Sequence, residues 1–199
     1  MRVASTAVLL VEFQKEFCSE GGAFHDAVRD EIERSGAVEN AADLVDRGRE
    51  KGVKILHLPM QFSESFREVP PDRTGMLGEV RDANSFVMGT DGADIVEELG
   101  PEPDEVVISG KSTITAFKST NLDHVLRNFG IENLALAGFL TDVSVESTAR
   151  AAYDLGYRVV LLRDCTVARS KELKRASERT IESSFGRVMA REEFLDGLE

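Results

Sequence analysis

The chain has 199 residues, with 36 acidic against 24 basic side chains and a formal net charge of −12. That balance excludes nucleic acid and an anionic membrane surface as partners, because both demand a basic footprint. A content of 42% hydrophobic and 30% charged residues is that of a globular domain rather than a disordered chain, and the length suits one domain spanning residues 1–199.

Two cysteines, Cys18 and Cys165, are too few and too far apart to make a disulfide framework. The apolar run Ala7–Val11 is shorter than a signal-peptide core, and no segment approaches the roughly 18 apolar residues that span a bilayer. The expectation is a cytoplasmic protein whose partner is a small-molecule substrate.

In chain order, short runs rich in Val, Ile and Leu predict strands at Ala7–Val11, Lys54–Leu58, Glu105–Ser109, Asn133–Ala137 and Arg158–Leu162, with a weaker one at Arg187–Met189. Runs that are continuously apolar, rather than alternating, belong to a sheet covered on both faces. Between them, helical periodicity is read over Val38–Lys51, Asn121–Phe129, Val143–Leu155 and Lys171–Ser184. The first three stop at Gly52, Gly130 and Gly156, and the last stops before Gly186. Ser119 or Thr120 could cap the second. Alternation of strand, helix and glycine stop predicts right-handed βαβ units and one doubly wound α/β domain. The stretch Pro59–Gly92 is the longest irregular region, expected to be a lid, a pocket wall or an oligomer contact.

Ligands of open parallel sheets sit outside the carboxyl ends of the strands. There the chain places Glu12, Pro59, Gly110-Lys111, Gly138 to Val145, and Asp164-Cys165. Glu12 and Lys111 each follow a strand almost at once, so a buried carboxylate and ammonium would share the crevice, either for acid/base work or as a plain ion pair. Ser144 lies where a strand turns into a helix, with amides able to face an anion or a developing oxyanion. Asp142 can equally be a helix cap.

At these residues the chain resembles the isochorismatase-like (cysteine) hydrolase family. Val11-Glu12-Phe13-Gln14-Lys15-Glu16-Phe17 is similar to its opening Asp-x-Gln-x-x-Phe motif, Gly110-Lys111 with Thr115-Ala116-Phe117 to its lysine motif, and Gly138 to Val145 to its Gly-x-x-Thr-Asp-x-Cys-Val nucleophile loop. Glu146 to Arg150, Gly156-Tyr157 and Asp164 also fit. The resemblance implies a three-layer Rossmann-like fold, with a six-stranded parallel sheet and helices on both faces, assembled as a homodimer or homotetramer. It implies a triad at Glu12, Lys111 and Ser144, and an oxyanion loop of Phe139, Leu140 and Val143 with a cis peptide between Phe139 and Leu140. The pocket candidates are Phe17, Gln61, Phe62 and Phe117, with Met60, Phe66, Arg67, Arg73, Phe86 and Met88 of the long loop further out.

Two triad positions depart from the family's Asp, Lys and Cys. Glu12 adds a methylene of reach but remains a carboxylate. Ser144 replaces a thiol with a far weaker acid, which as a nucleophile needs an adjacent base, and none of His25, His57 and His124 has the sequence context of one. Three readings of Ser144 stand. It can be an engineered replacement of a cysteine in a hydrolase of small amide or ureido substrates. It can mark isochorismatase-type vinyl ether cleavage, which needs an acid and a lysine but no nucleophile. It can mark an inactive ligand-binding or scaffolding homologue. No metal or other cofactor is expected, because Leu58-Pro59-Met60-Gln61-Phe62-Ser63 lacks the Asp-x-His ligands of the nicotinamidase branch. Cys18 and Cys165 are assigned to packing.

Overall fold

The computed structural model describes residues 1–199. Six strands, β1 (Thr6–Val11), β2 (Lys54–Leu58), β3 (Val106–Val107), β4 (Asn133–Phe139), β5 (Arg158–Val167) and β6 (Gly186–Met189), form one sheet in the order β3-β2-β1-β4-β5-β6. All five pairings are parallel. The order reverses between β1 and β4, so the crevice of a doubly wound sheet opens beyond the ends of these two strands.

The eight helices are α1 (Lys15–Cys18), α2 (Arg29–Ser35), α3 (Ala37–Lys51), α4 (Met76–Asp82), α5 (Leu122–Asn128), α6 (Glu146–Asp154), α7 (Lys171–Ser184) and α8 (Arg191–Asp196). None is long and apolar enough to cross a membrane. Every residue of β1 and β4 is buried, as their unbroken apolar character requires of strands covered on both sides. Alternate residues feed two cores. Val8 and Leu10 point into one with α3 and the long loop, while Ala7, Leu9 and Val11 point into the other with α5 and α6.

The predicted strands all exist; β1, β4 and β6 differ by one or two residues, and β3 and β5 change most. β3 pairs over only two residues, and Ile108 N–H then donates to His57 O at 2.7 Å as the chain turns away. β5 runs past Leu162 to Val167, because between Leu136 and Gly138 its register against β4 jumps from Leu161 to Thr166. Arg163, Asp164 and Cys165 are therefore an excursion within a strand, not residues beyond its end. The helix expected over Val143–Leu155 is divided into a wide π-type turn, Thr141–Val145, and α6. Thr120, rather than Ser119, serves the start of α5, accepting from Leu122 N–H at 3.1 Å, while Ser119 accepts from Ser112 N–H. α3 ends as read, at Gly52 with φ of 79°.

Candidate active site

β1 delivers Glu12 directly after its last residue. The Glu12 N–H donates to Leu58 O at 3.0 Å, which continues the strand pairing by one residue while φ swings to +56°. A left-handed conformation is uncommon for a residue with a Cβ and costs about 1–3 kcal/mol, so the surrounding packing holds it. Lys111 arrives from the far side. Its backbone bridges to Met60, and its carbonyl accepts from Gln61 N–H at 2.8 Å. The two side chains meet, with Lys111 Nζ 2.5 Å from Glu12 Oε1, and they are 0% and 2% exposed. Nζ also donates to Thr113 O at 2.8 Å. Oε1 has no well-aligned hydrogen-bond donor, so the contact is an ion pair rather than a directed hydrogen bond.

The third element enters from β4. Gly138 pairs with Val11, and a Cβ at Gly138 would lie 1.9 Å from Val11 O, with φ at 128°. Only glycine lets the two backbones approach this closely at the switch point. A cis peptide joins Phe139 to Leu140, and the chain winds through the Thr141–Val145 turn, which carries Ser144 at 2% exposure. Leu140 O accepts from both Val143 and Val145 N–H, at 3.0 and 3.1 Å. The Val143 amide expected to serve an oxyanion is thereby occupied, whereas the amides of Leu140, Thr141, Asp142 and Ser144 find no backbone acceptor outside the turn. Asp142 caps nothing. Its Oδ1 is buried without a partner, and burial pushes its carboxyl above the ordinary value.

The other candidates scatter. Phe17 lies in the apolar core, stacked on Phe139 with ring centroids 5.2 Å apart, and Phe62 is buried against Phe66 at 5.4 Å. Phe117 packs on the opposite face of the sheet against Tyr157, at 5.9 Å. Phe17 and Phe62 thus belong to the core on one face of the sheet and Phe117 packs against the core on the other. Gln61 stays near the Lys111 strand end, its Oε1 accepting from Gly110 N–H at 3.4 Å. Asp164 is held by Arg191, whose N–H and Nη1 donate to it at 2.8 and 2.7 Å, so it belongs to a structural ion pair away from the crevice.

No histidine serves Ser144. His57 Nε2 lies 2.9 Å from Glu105 Oε2, His124 Nε2 is 3.0 Å from Asn128, and His25 Nδ1 is 2.9 Å from Phe17 O. Burial raises the thiols of Cys18 and Cys165 well above the usual range, which makes both poor nucleophiles. No group of three or more His, Cys, Asp or Glu side chains is placed to hold a metal ion.

Two residues of the opening motif segment were given no role by the sequence reading. Gln14 is fully buried, donates to Met60 O and Ala93 O at 2.9 and 2.7 Å, and accepts from Met60 N–H at 2.7 Å. Glu16 accepts from Ala23 and Phe86 N–H, at 2.7 and 3.3 Å. Together they tie the long loop to the strand end that carries Glu12. The signal was available, as a glutamine and a glutamate inside an otherwise phenylalanine-rich segment.

Comparison with known proteins bears on the family and the fold. The ureidoacrylate amidohydrolase RutB of Rhizobium rhizogenes is 29% identical over 206 residues, covering 98% of this chain and 83% of that protein. The uncharacterized isochorismatase family protein YwoC of Bacillus subtilis is 31% identical over 192 residues, covering 96% and 93%. Among solved structures, a cysteine hydrolase from Pseudomonas syringae pv. phaseolicola superimposes with a TM-score of 0.84 at 23% identity, covering 98% and 93% of the two chains. N-carbamoylsarcosine amidase from Thermoplasma acidophilum superimposes with a TM-score of 0.74 at 22% identity, covering 96% and 97%, and so shares the fold. The Isochorismatase domain matches residues 6–193, nearly the whole chain, and the protein belongs to the isochorismatase family.

Proposed function

We propose that the protein hydrolyses a small amide- or ureido-bearing substrate at Glu12, Lys111 and Ser144. The observation that carries this reading is the buried ion pair between Glu12 and Lys111, at the end of β1 beside β4, the strand that runs on into the turn bearing Ser144, where the strand order reverses. The names of the RutB relatives support the substrate class.

In the proposed reaction Glu12 takes the proton of Ser144 Oγ as the oxygen attacks the substrate carbonyl. The carbonyl oxygen gains the negative charge and is received by the Leu140 and Ser144 amides, while the fixed charge of Lys111 steadies it. The amide nitrogen leaves with the proton that Glu12 holds. Water, deprotonated in turn by Glu12, then releases the acyl group and returns Ser144 to its starting form.

A second reading is favoured by the hydroxyl at position 144 and the absence of a histidine beside it: cleavage of a vinyl ether by protonation from the Glu12 carboxyl, with no covalent step. Mass spectrometry after a rapid quench separates the two. An acyl adduct on Ser144 during turnover of an amide or ureido substrate supports the first. Product without adduct, together with pyruvate release from a vinyl ether, supports the second. Replacing Ser144 with cysteine should yield a thiol alkylated by iodoacetamide faster than a model thiol, in a manner that depends on Glu12. Ordinary thiol reactivity, together with no turnover of any amide or ester, would leave a ligand-binding homologue as the function.

A further inference from the structure

A second cleft, of about 340 Å3, opens between the C-terminal end of α2, the excursion in β5 and the first turns of α7, and it shares no residue with the Glu12–Lys111 site. No apolar side chain lines it. Arg34, Arg163, Lys171, Lys174 and Arg175 face it, against Asp164 and Glu178. In a chain of net charge −12, five cations around one concavity invert the prevailing sign of the surface.

Little within the protein neutralises them. Asp164 is committed to Arg191, and Arg34 is turned to Glu31. No salt bridge reaches Arg163, Lys171, Lys174 or Arg175, although most other basic side chains of the chain find a carboxylate. Lys174 is the inner member, only 8% exposed. It donates to Thr166 O at 2.6 Å, using one of the three donors of its ammonium. No carboxylate reaches salt-bridge distance of it, and Glu178, Glu31 and Asp164 act on it only from farther off; a buried cation paired this loosely is costly, and an anion in the cleft would supply a direct partner.

The walls are held in place before any ligand arrives. Asn40 Nδ2 donates to Ser35 O at 3.1 Å and to Asp164 O at 2.9 Å, joining the α2 end to the β5 excursion. α7, 14 residues long, starts at the cleft. Ser170 caps its Leu173 N–H, which fixes the first turn that carries Lys171 and Lys174.

We propose that this cleft binds the phosphate group of a small molecule. Two guanidinium forks and two ammonium groups without carboxylate partners match a dianion with several acceptor oxygens better than a single carboxylate. The test uses the intact chain in isothermal calorimetry and phosphorus NMR, with inorganic phosphate, pyrophosphate and phenyl phosphate, and succinate at matched ionic strength. The expected result is saturable binding of at least one phosphate probe, weakened about tenfold or more when charge-assisted hydrogen bonds are removed in Arg163→Ala/Arg175→Ala. Arg179→Ala, an exposed α7 cation outside the cleft, should bind unchanged. Tighter phenyl phosphate than inorganic phosphate would identify a carried phosphate, and the reverse a free one. Lys171→Ala offers a second disabling variant, with thermal melts confirming that each is folded. Absence of saturable phosphate binding, succinate binding as tightly as phosphate, or equal losses in the cleft variants and Arg179→Ala would overturn the proposal.

Discussion

Lys111 Nζ stands 2.5 Å from Glu12 Oε1 in a space closed to solvent, and the two residues reach it from opposite neighbours in the sheet, one after β1 and the other beyond β3. Each charge is tolerated there because of the other. Removing one partner of a buried pair leaves the survivor desolvated and unpaired, which costs about 3–5 kcal/mol. Lys111→Met should lower the unfolding free energy by that order in denaturant titration. Lys111→Met/Glu12→Gln should recover part of the loss, and additive losses would show that the pair is not energetically coupled.

Glu12→Gln separates chemistry from binding. The amide keeps the size of the side chain but cannot take a proton, so kcat should fall by about 100- to 10,000-fold, the range of a general base, with KM little changed. A pre-steady-state assay on the substrate found for the wild-type chain measures this directly. An unchanged kcat would remove Glu12 from the reaction.

Gly138→Ala should damage folding rather than tune activity. The new Cβ would sit 1.9 Å from Val11 O, a backbone atom that cannot swing away, at a φ unsuited to alanine. The loss should be about 4 kcal/mol or more, the exceptional end of single substitutions. Thermal melting should show a large drop or no cooperative transition.

Ser177 supports the nucleophile turn from α7. Its Oγ lies within hydrogen-bond distance of Thr141 O, at 3.1 Å, and of a Glu146 carboxylate oxygen. Ser177→Ala should cost about 1 kcal/mol of stability, the ordinary worth of a hydrogen bond. The turn it releases also positions Ser144, and a misplacement of about 1 Å can cost about 100-fold in rate. The rate effect should therefore exceed what that small loss of stability implies, which a paired melt and kcat measurement would show.

Acid should weaken the fold through Glu105. Burial alone would raise its carboxyl, but the Arg49 fork, the Glu102 N–H and His57 outweigh it and hold the value at about 2. A depressed folded value stabilises the protein above the ordinary carboxylate range and is lost as pH falls from about 4.5 through about 2. His57, held by burial below its ordinary value, adds a loss of the same sign as pH drops below about 6.5. Unfolding free energy measured against pH should decline across this range, and more shallowly in Glu105→Gln. Identical slopes would refute the assignment.

Much of the architecture is legible in the chain because strands of a doubly covered parallel sheet must be apolar on both faces. Ala7–Val11 and Asn133–Ala137 therefore announce themselves as apolar runs, and the residues just after them lie at the ligand edge by rule. Glu12 and Ser144 could be placed on that basis, and the family resemblance rests on the same residues. What the one-dimensional pattern could not carry was any feature that depends on register or on a backbone partner. The excursion that takes Asp164 and Cys165 away from the crevice comes from a register jump between β4 and β5. The engagement of the Val143 amide arises from the wide turn, and the separation of Phe117 from Phe17 from their lying on opposite faces. Sequence alone therefore determined the layers and the edge at which chemistry can occur, since these follow from hydrophobic periodicity. Only the tertiary structure decided which side chains meet there: the Glu12–Lys111 contact joins residues far apart in sequence, and it exists because the β3-β2-β1 order brings two strand ends together.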